Sequence, residues 1–123
     1  MGLFFKSNDD IIKKYLKEKN ISYKFNEGRY ELTLTLKDNV IIYPYFKITE
    51  DNFSFIINLK KTDDNKLLDK INTFNVISKY LVCKLNEGIL YLEYNSIIDN
   101  NIKDILDNIF LNISALANEI DEL

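Results

Sequence analysis

Histidine is absent from these 123 residues, as is tryptophan; cysteine, proline and methionine occur once each, and glycine three times. Each gap closes a class of chemistry. Without histidine there is no Ser-His or Cys-His couple, and no side chain whose ordinary pKa lies near neutrality. A lone cysteine, Cys83, supports neither an intrachain disulfide nor a thiolate zinc site. Gly2, Gly28 and Gly88 are too scattered to form a phosphate-cradling loop. Acid–base work would then rest on carboxylates, lysine or tyrosine. The adjacent pairs Asp9-Asp10, Glu50-Asp51 and Asp63-Asp64 all fall at expected turns or helix starts, where carboxylates cap backbone donors. The stretch Asp63-Asp64-Asn65-Lys66-Leu67 lacks the central glycine and later ligands of a calcium loop. No catalytic, cofactor-binding or metal-ligating residue is expected, and enzymatic activity ranks last among the functions considered.

What is present describes a folded chain. Apolar residues make up 46% and charged residues 28%, which separates it from disordered sequences. A single domain over 1–123 is expected, with about two-thirds of the unfolded surface buried on folding. The net charge of −3 argues against a general nucleic-acid binder, whose affinity comes largely from neutralising phosphates. That charge is uneven: residues 1–47 hold nine Lys/Arg against six Asp/Glu, whereas 96–123 hold Lys103 against six acids. Two readings stand, solvated faces of opposite sign or docking surfaces at either end. No run is long enough to cross a membrane, and Leu3-Phe4-Phe5 is too short for a signal-peptide core. Lys6 stands where a myristoylation motif requires Ser or Thr. The abundance of Ile, Asn and Lys suggests an AT-rich, bacterial genome, and the cytoplasm is the expected location.

Periodicity orders the chain. Asn8, ahead of Asp9 and Asp10, is the expected N-cap of an amphipathic helix over 8–19 with Ile11, Ile12, Tyr15 and Leu16 on its apolar face. Leu3, Phe4 and Phe5 are expected to anchor against the core. A short strand over 21–25 leads into Tyr30, Leu32, Leu34 and Leu36, which alternate with polar residues, as do Phe53, Phe55, Ile57 and Leu59. Between them Val40 to Thr49 reads as one strand, either at an edge or bulged at Pro44. A second helix is predicted over 64–74 with Leu67, Leu68, Ile71 and Phe74 inward, then strands at 76–85 and 89–94. A last helix is predicted from Ser96–Asp99 to about residue 121, with Asp104, Asp107, Asn108 and Asn112 outside its apolar stripe. Lys24-Phe25-Asn26-Glu27-Gly28 and Lys84-Leu85-Asn86-Glu87-Gly88 read as two similar hairpin turns. The fold class is α+β, in the order α-β-β-β-β-α-β-β-α, with helices on one face of a twisted antiparallel sheet.

Leu67-Leu68-Asp69-Lys70-Ile71-Asn72-Thr73-Phe74-Asn75, followed by a strand, an acidic-glycine turn, a second strand and a terminal helix, resembles the YbjN family of small bacterial proteins. In that family a leucine-rich short helix closes on an Asn-x-x-Asn pair, here Asn72 and Asn75. The resemblance implies the fold of type III secretion chaperones and chaperone-like or regulatory protein binding. Related folds pair as dimers, so it also implies a homodimer, built on the second helix or the strand at 76–85. The N-terminal half departs from the family pattern, with Asn20-Ile21 where a glycine commonly follows the first helix.

Candidate binding residues follow from the alternation. Tyr43 and Tyr45, with Ile41 and Lys47, fall on the face opposite Ile42, Phe46 and Ile48 and form an expected semi-exposed aromatic patch of the kind that marks protein interfaces. Asn72 and Asn75 are expected to end the second helix or satisfy a neighbouring strand, with a partner contact as the alternative. Cys83, mid-strand, reads as a small buried hydrophobe. The leading function is a non-enzymatic module that holds a partner protein segment on its sheet face or in a helix groove. The alternative is an immunity, antitoxin or phage accessory protein whose acidic last helix blocks a basic partner. No nucleic acid, membrane or cofactor is expected.

Overall fold

The structure, a computed structural model, describes residues 7–98 and 101–123. The expected anchor Leu3-Phe4-Phe5 lies outside the described residues. Helix α1 (Asn8–Glu18) is capped by Ser7, whose hydroxyl accepts from the Asp10 N–H at 3.2 Å, one residue ahead of the expected Asn8. Asp9 and Asp10 occupy the first turn, where the helix dipole favours negative charge, and Ile12, Tyr15 and Leu16 are buried.

Seven strands follow among the described residues: β1 (Ser22–Asn26), β2 (Arg29–Lys37), β3 (Val40–Ile42), β4 (Tyr45–Thr49), β5 (Asn52–Lys61), β6 (Val82–Asn86) and β7 (Ile89–Ile97). The sheet runs β1-β2-β4-β5-β7-β6, with β3 on β2 off that path, and every pairing is antiparallel. The single strand expected over 40–49 is two strands broken at Pro44. Having no N–H, the proline cannot donate to a ladder, yet its carbonyl accepts from Leu32 at 2.8 Å. One half of β2 therefore pairs with β4 and the other with β3. The matched turns hold as read. Glu27-Gly28 and Glu87-Gly88 are two-residue loops with φ of 51°, 79°, 52° and 77°, the doubly positive geometry that suits the twist of a hairpin.

Alternation along the strands builds one buried face. Tyr30, Leu32, Phe46, Phe53, Phe55, Ile57, Leu90 and Leu92 are at most 2% exposed, so no solvent reaches this layer. Phe46 lies at its centre, with ring centroids 5.0 Å from Tyr30, 5.4 Å from Phe53 and 6.1 Å from Phe55. Each such pair adds about 1 kcal/mol beyond area burial. The helices cover this face. Phe110 of α3 (Ile102–Ala115) meets Phe55 edge-on and stacks on Tyr15 of α1. Two phenols clamp α1 in place: Tyr15 donates to Asp107 of α3 at 2.7 Å, and Tyr30 of β2 donates to Asp9. Burial, reinforced by the carboxylate partner, pushes both phenols well above the ordinary tyrosine pKa.

The second half departs from the expected boundaries. Asp64 caps a 3₁₀ turn, Asn65–Leu67, and α2 then runs from Leu68–Ile77, not 64–74. Leu67, Ile71 and Phe74 are buried, whereas Leu68, expected inward, is exposed, because the tighter turn rotates it off the core face. Val76 and Ile77 are helical and exposed, so the strand expected over 76–85 starts only at Val82. Asn72 and Asn75 do not end the helix, which stops at Ser78. Asn75 takes the other expected role and satisfies a neighbouring strand, β6: its Nδ2 donates to the Cys83 carbonyl at 3.0 Å, and the Cys83 N–H donates to its Oδ1 at 2.7 Å.

The last helix also starts later, because β7 continues to Ile97 and Ile98 donates to the Asp51 carbonyl at 2.6 Å. Asn101 caps α3, and the helix breaks at Leu116 before α4 (Ala117–Asp121). The largest correction concerns Asn112, expected outside the apolar stripe but buried. Its Oδ1 accepts from the backbone N–H groups of Tyr80 at 3.0 Å and Leu81 at 2.9 Å. It thus stands in for the backbone partner that the segment entering β6 lacks.

Asn112→Ala strands a buried N–H at Leu81 and should lower unfolding free energy by about 2–4 kcal/mol, read from urea midpoints. Asn112→Asp, which keeps the accepting oxygen, should lose less. Burial pushes the Cys83 thiol up to about 11. Cys83 should therefore resist thiol reagents near neutral pH in the folded protein and react promptly once denaturant is added.

Candidate binding face

The strand alternation that buries one face leaves the other in register and open. One row across it runs Lys24, Glu31, Tyr45, Ile56, Glu93, Val82, and the next runs Asn26, Arg29, Lys47, Ser54, Asn95. Tyr45 and Lys47 alternate with the buried Phe46 on β4. Ile41 on β3 and Tyr43 beside Pro44 are 48% and 66% exposed, so among the described residues they offer apolar surface to solvent.

The structure brings the expected residues Tyr43 and Tyr45 into one concavity of about 470 Å³, lined also by Tyr23, Lys24, Leu32, Thr33 and Pro44. Lys47 lies two residues along β4 from Tyr45, opposite Arg29. Ile41 does not line the groove. Two residues on this face were missed in the sequence. The Arg29 guanidinium lies 4.7 Å from the centre of the Tyr45 ring and pairs with Glu31 at 2.9 Å, so it holds the ring and neutralises the carboxylate. The available signal was their alternation with Tyr30 and Leu32, which assigns them to the face of Tyr45. Further along, Glu93 is paired by Lys84.

A second concavity fits the helix-groove reading. It holds about 500 Å³ between α1, β2 and α3, lined by Ile21, Leu34, Leu36, Phe110 and Leu111, with the Tyr15–Asp107 pair in its wall. The acidic end of the chain is partly engaged within the fold, since Asp107 accepts from Tyr15 and Asp121 pairs with Lys37 at 2.9 Å. Among the described residues no three His, Cys, Asp or Glu side chains converge on a metal position. No helix there is long and apolar enough to cross a membrane.

The chain matches no protein-family model and no curated protein. Its backbone does match solved structures. It superposes on YbjN from E. coli, a proposed transcription regulator, with a TM-score of 0.57 at 8% identity over 89% of this chain and 91% of that one. It superposes on a chain of the HopA1–SchA chaperone–effector complex with a TM-score of 0.63 at 11% identity over 94% of this chain and 93% of that one. At such identities the likeness is one of fold, and it bears out the expected class: this is the α+β fold of YbjN and of a type III secretion chaperone, an antiparallel sheet with its helices on one face.

Proposed function

We propose that this chain is a non-enzymatic, chaperone-like or regulatory module that holds a segment of a partner protein on its open sheet face. The observation that supports the reading best is the groove of Tyr43 and Tyr45, with Tyr43 and Ile41 left exposed. Aromatic side chains set beside cations at the rim of a groove are the composition of protein-interface anchors. The fold shared with a chain of a chaperone–effector complex points the same way. The alternative, an acidic last helix that blocks a basic partner, has less support because Asp107 and Asp121 are already engaged within the chain, by Tyr15 and Lys37.

Affinity capture from the source cell compares the wild type with Tyr43→Ala/Tyr45→Ala and with Leu111→Glu. Loss of two anchors should reduce recovery of a specific partner about tenfold or more, while Leu111→Glu in the helix groove leaves it intact. The opposite pattern moves the site to the groove, and unchanged recovery by both rejects the two surfaces together.

Pairing of two copies belongs to the same proposal. Val76 and Ile77 of α2 and Val82 of β6 are exposed apolar residues on the elements expected to form a dimer. Light scattering should report twice 14.5 kDa, and Val76→Asp should restore the single mass. A 14.5 kDa species alone at high concentration rejects the dimer.

A further inference from the structure

We infer that the groove takes one flat aromatic ring of a partner segment, a tryptophan or tyrosine side chain, between Tyr43 and Tyr45; this rests on the proposed binding face and names what it holds. Strand register sets the slot. Leu34 opposite Ile42 and Glu31 opposite Tyr45 keep one register across Pro44, so Tyr43 and Tyr45 stand on the same face, two residues apart. At about 3.4 Å per residue their Cα atoms are about 6.8 Å apart, and side chains roughly perpendicular to a sheet keep that spacing. Carbon atoms in contact sit about 3.5 Å apart, so a ring held between two others needs about 7 Å. The two tyrosines make no ring contact with each other among the described residues, and both line the same concavity. The gap is one ring thick.

Charge chooses the occupant. Arg29 lies opposite Lys47, on the side of Tyr45 away from Tyr43, and its guanidinium covers that side of the Tyr45 ring at 4.7 Å. Neither Arg29 nor Lys47 lines the groove, so the other face of the ring is the one presented to it. A cation behind one ring also attracts the negative face of a second ring stacked on it, which favours an aromatic ring over an aliphatic side chain. At the edge of the slot the Glu31 carboxylate and the hydroxyls of Thr33 and Ser22 offer hydrogen-bond acceptors, which suit an indole N–H or a phenol O–H. Phenylalanine has neither. A nucleobase is also flat, but it brings phosphates to a protein of net charge −3 with a carboxylate in the groove lining.

The test is panning of a random library of about ten-residue peptides against the full-length wild type, Tyr43→Phe, Tyr43→Leu and Tyr43→Ala/Tyr45→Ala. A labelled oligothymidylate titration serves as the nucleic-acid arm. Tyr43 is exposed, so replacing it leaves the core untouched. The chain has no tryptophan, so the emission of an enriched peptide's own tryptophan reads binding directly. Wild type should enrich peptides built around one tryptophan or tyrosine. Their binding should weaken about tenfold in Tyr43→Leu, which is apolar but not flat, and stay within about twofold in Tyr43→Phe. It should change less than about twofold from about 0.05 to 0.5 M salt, since stacking needs no ion pair. Enrichment without aromatic excess that Tyr43→Leu abolishes overturns the ring preference and leaves the binding face standing. Aromatic peptides bound equally by wild type and Tyr43→Leu overturn the slot, and equal enrichment by the double variant overturns the face as well. No enrichment by the wild type overturns the inference, while the capture experiment still decides the face. Oligothymidylate binding that Tyr43→Leu abolishes, without peptide enrichment, likewise overturns it.

Discussion

Phe46 is the residue around which the structure closes. It is fully buried, within ring contact of Tyr30, Phe53 and Phe55, and through Phe55 it is linked to Phe110 and the helix layer. A strand puts successive side chains on opposite faces, so placing Phe46 inward forces Tyr45 and Lys47 outward. The hydrophobic layer and the open face are two consequences of one register. A slip of a single residue would exchange them.

Polar groups supply what that layer cannot. A segment that leaves a helix and enters an edge strand has backbone donors with no ladder partner, and burying them unpaired costs about 1–3 kcal/mol each. Two asparagines answer this. Asn112 accepts from Tyr80 and Leu81, and Asn75 pairs with both backbone groups of Cys83. The second also occupies Cys83's outward backbone groups on an edge where another strand could otherwise add. On the N-terminal side the tyrosine–aspartate pairs do related work, fixing α1 to α3 and to β2 with neutral phenols that burial keeps protonated.

The parts of the fold legible in the sequence were those set by local rules. Alternation at 30–36 and 53–59 placed the right side chains in the core, and the paired Asn-Glu-Gly turns were recognisable because glycine tolerates positive φ. Tyr43, Tyr45, Ile41 and Lys47 could be assigned to the outer face for the same reason. Boundaries failed where two elements share composition. Val76 and Ile77 are β-branched and read as strand, yet they complete the last turn of α2, since helix continuation from Phe74 outweighs a weak propensity. Ser96 and Ile97 read as the start of a helix, yet they extend β7, because their strand partners, Phe53 and Asn52, lie more than forty residues away.

Residue order and periodicity alone therefore determined the class of fold, the absence of histidine and metal-thiolate chemistry, and which face each strand residue takes. Tertiary structure alone decided that Arg29 covers Tyr45, that Tyr23 and Tyr43 share a groove across two strands, and that a polar residue at 112 belongs inside. The reason is range. Side-chain direction follows from dihedral angles within a few residues, whereas a contact between residues far apart in the chain depends on how the whole sheet is ordered.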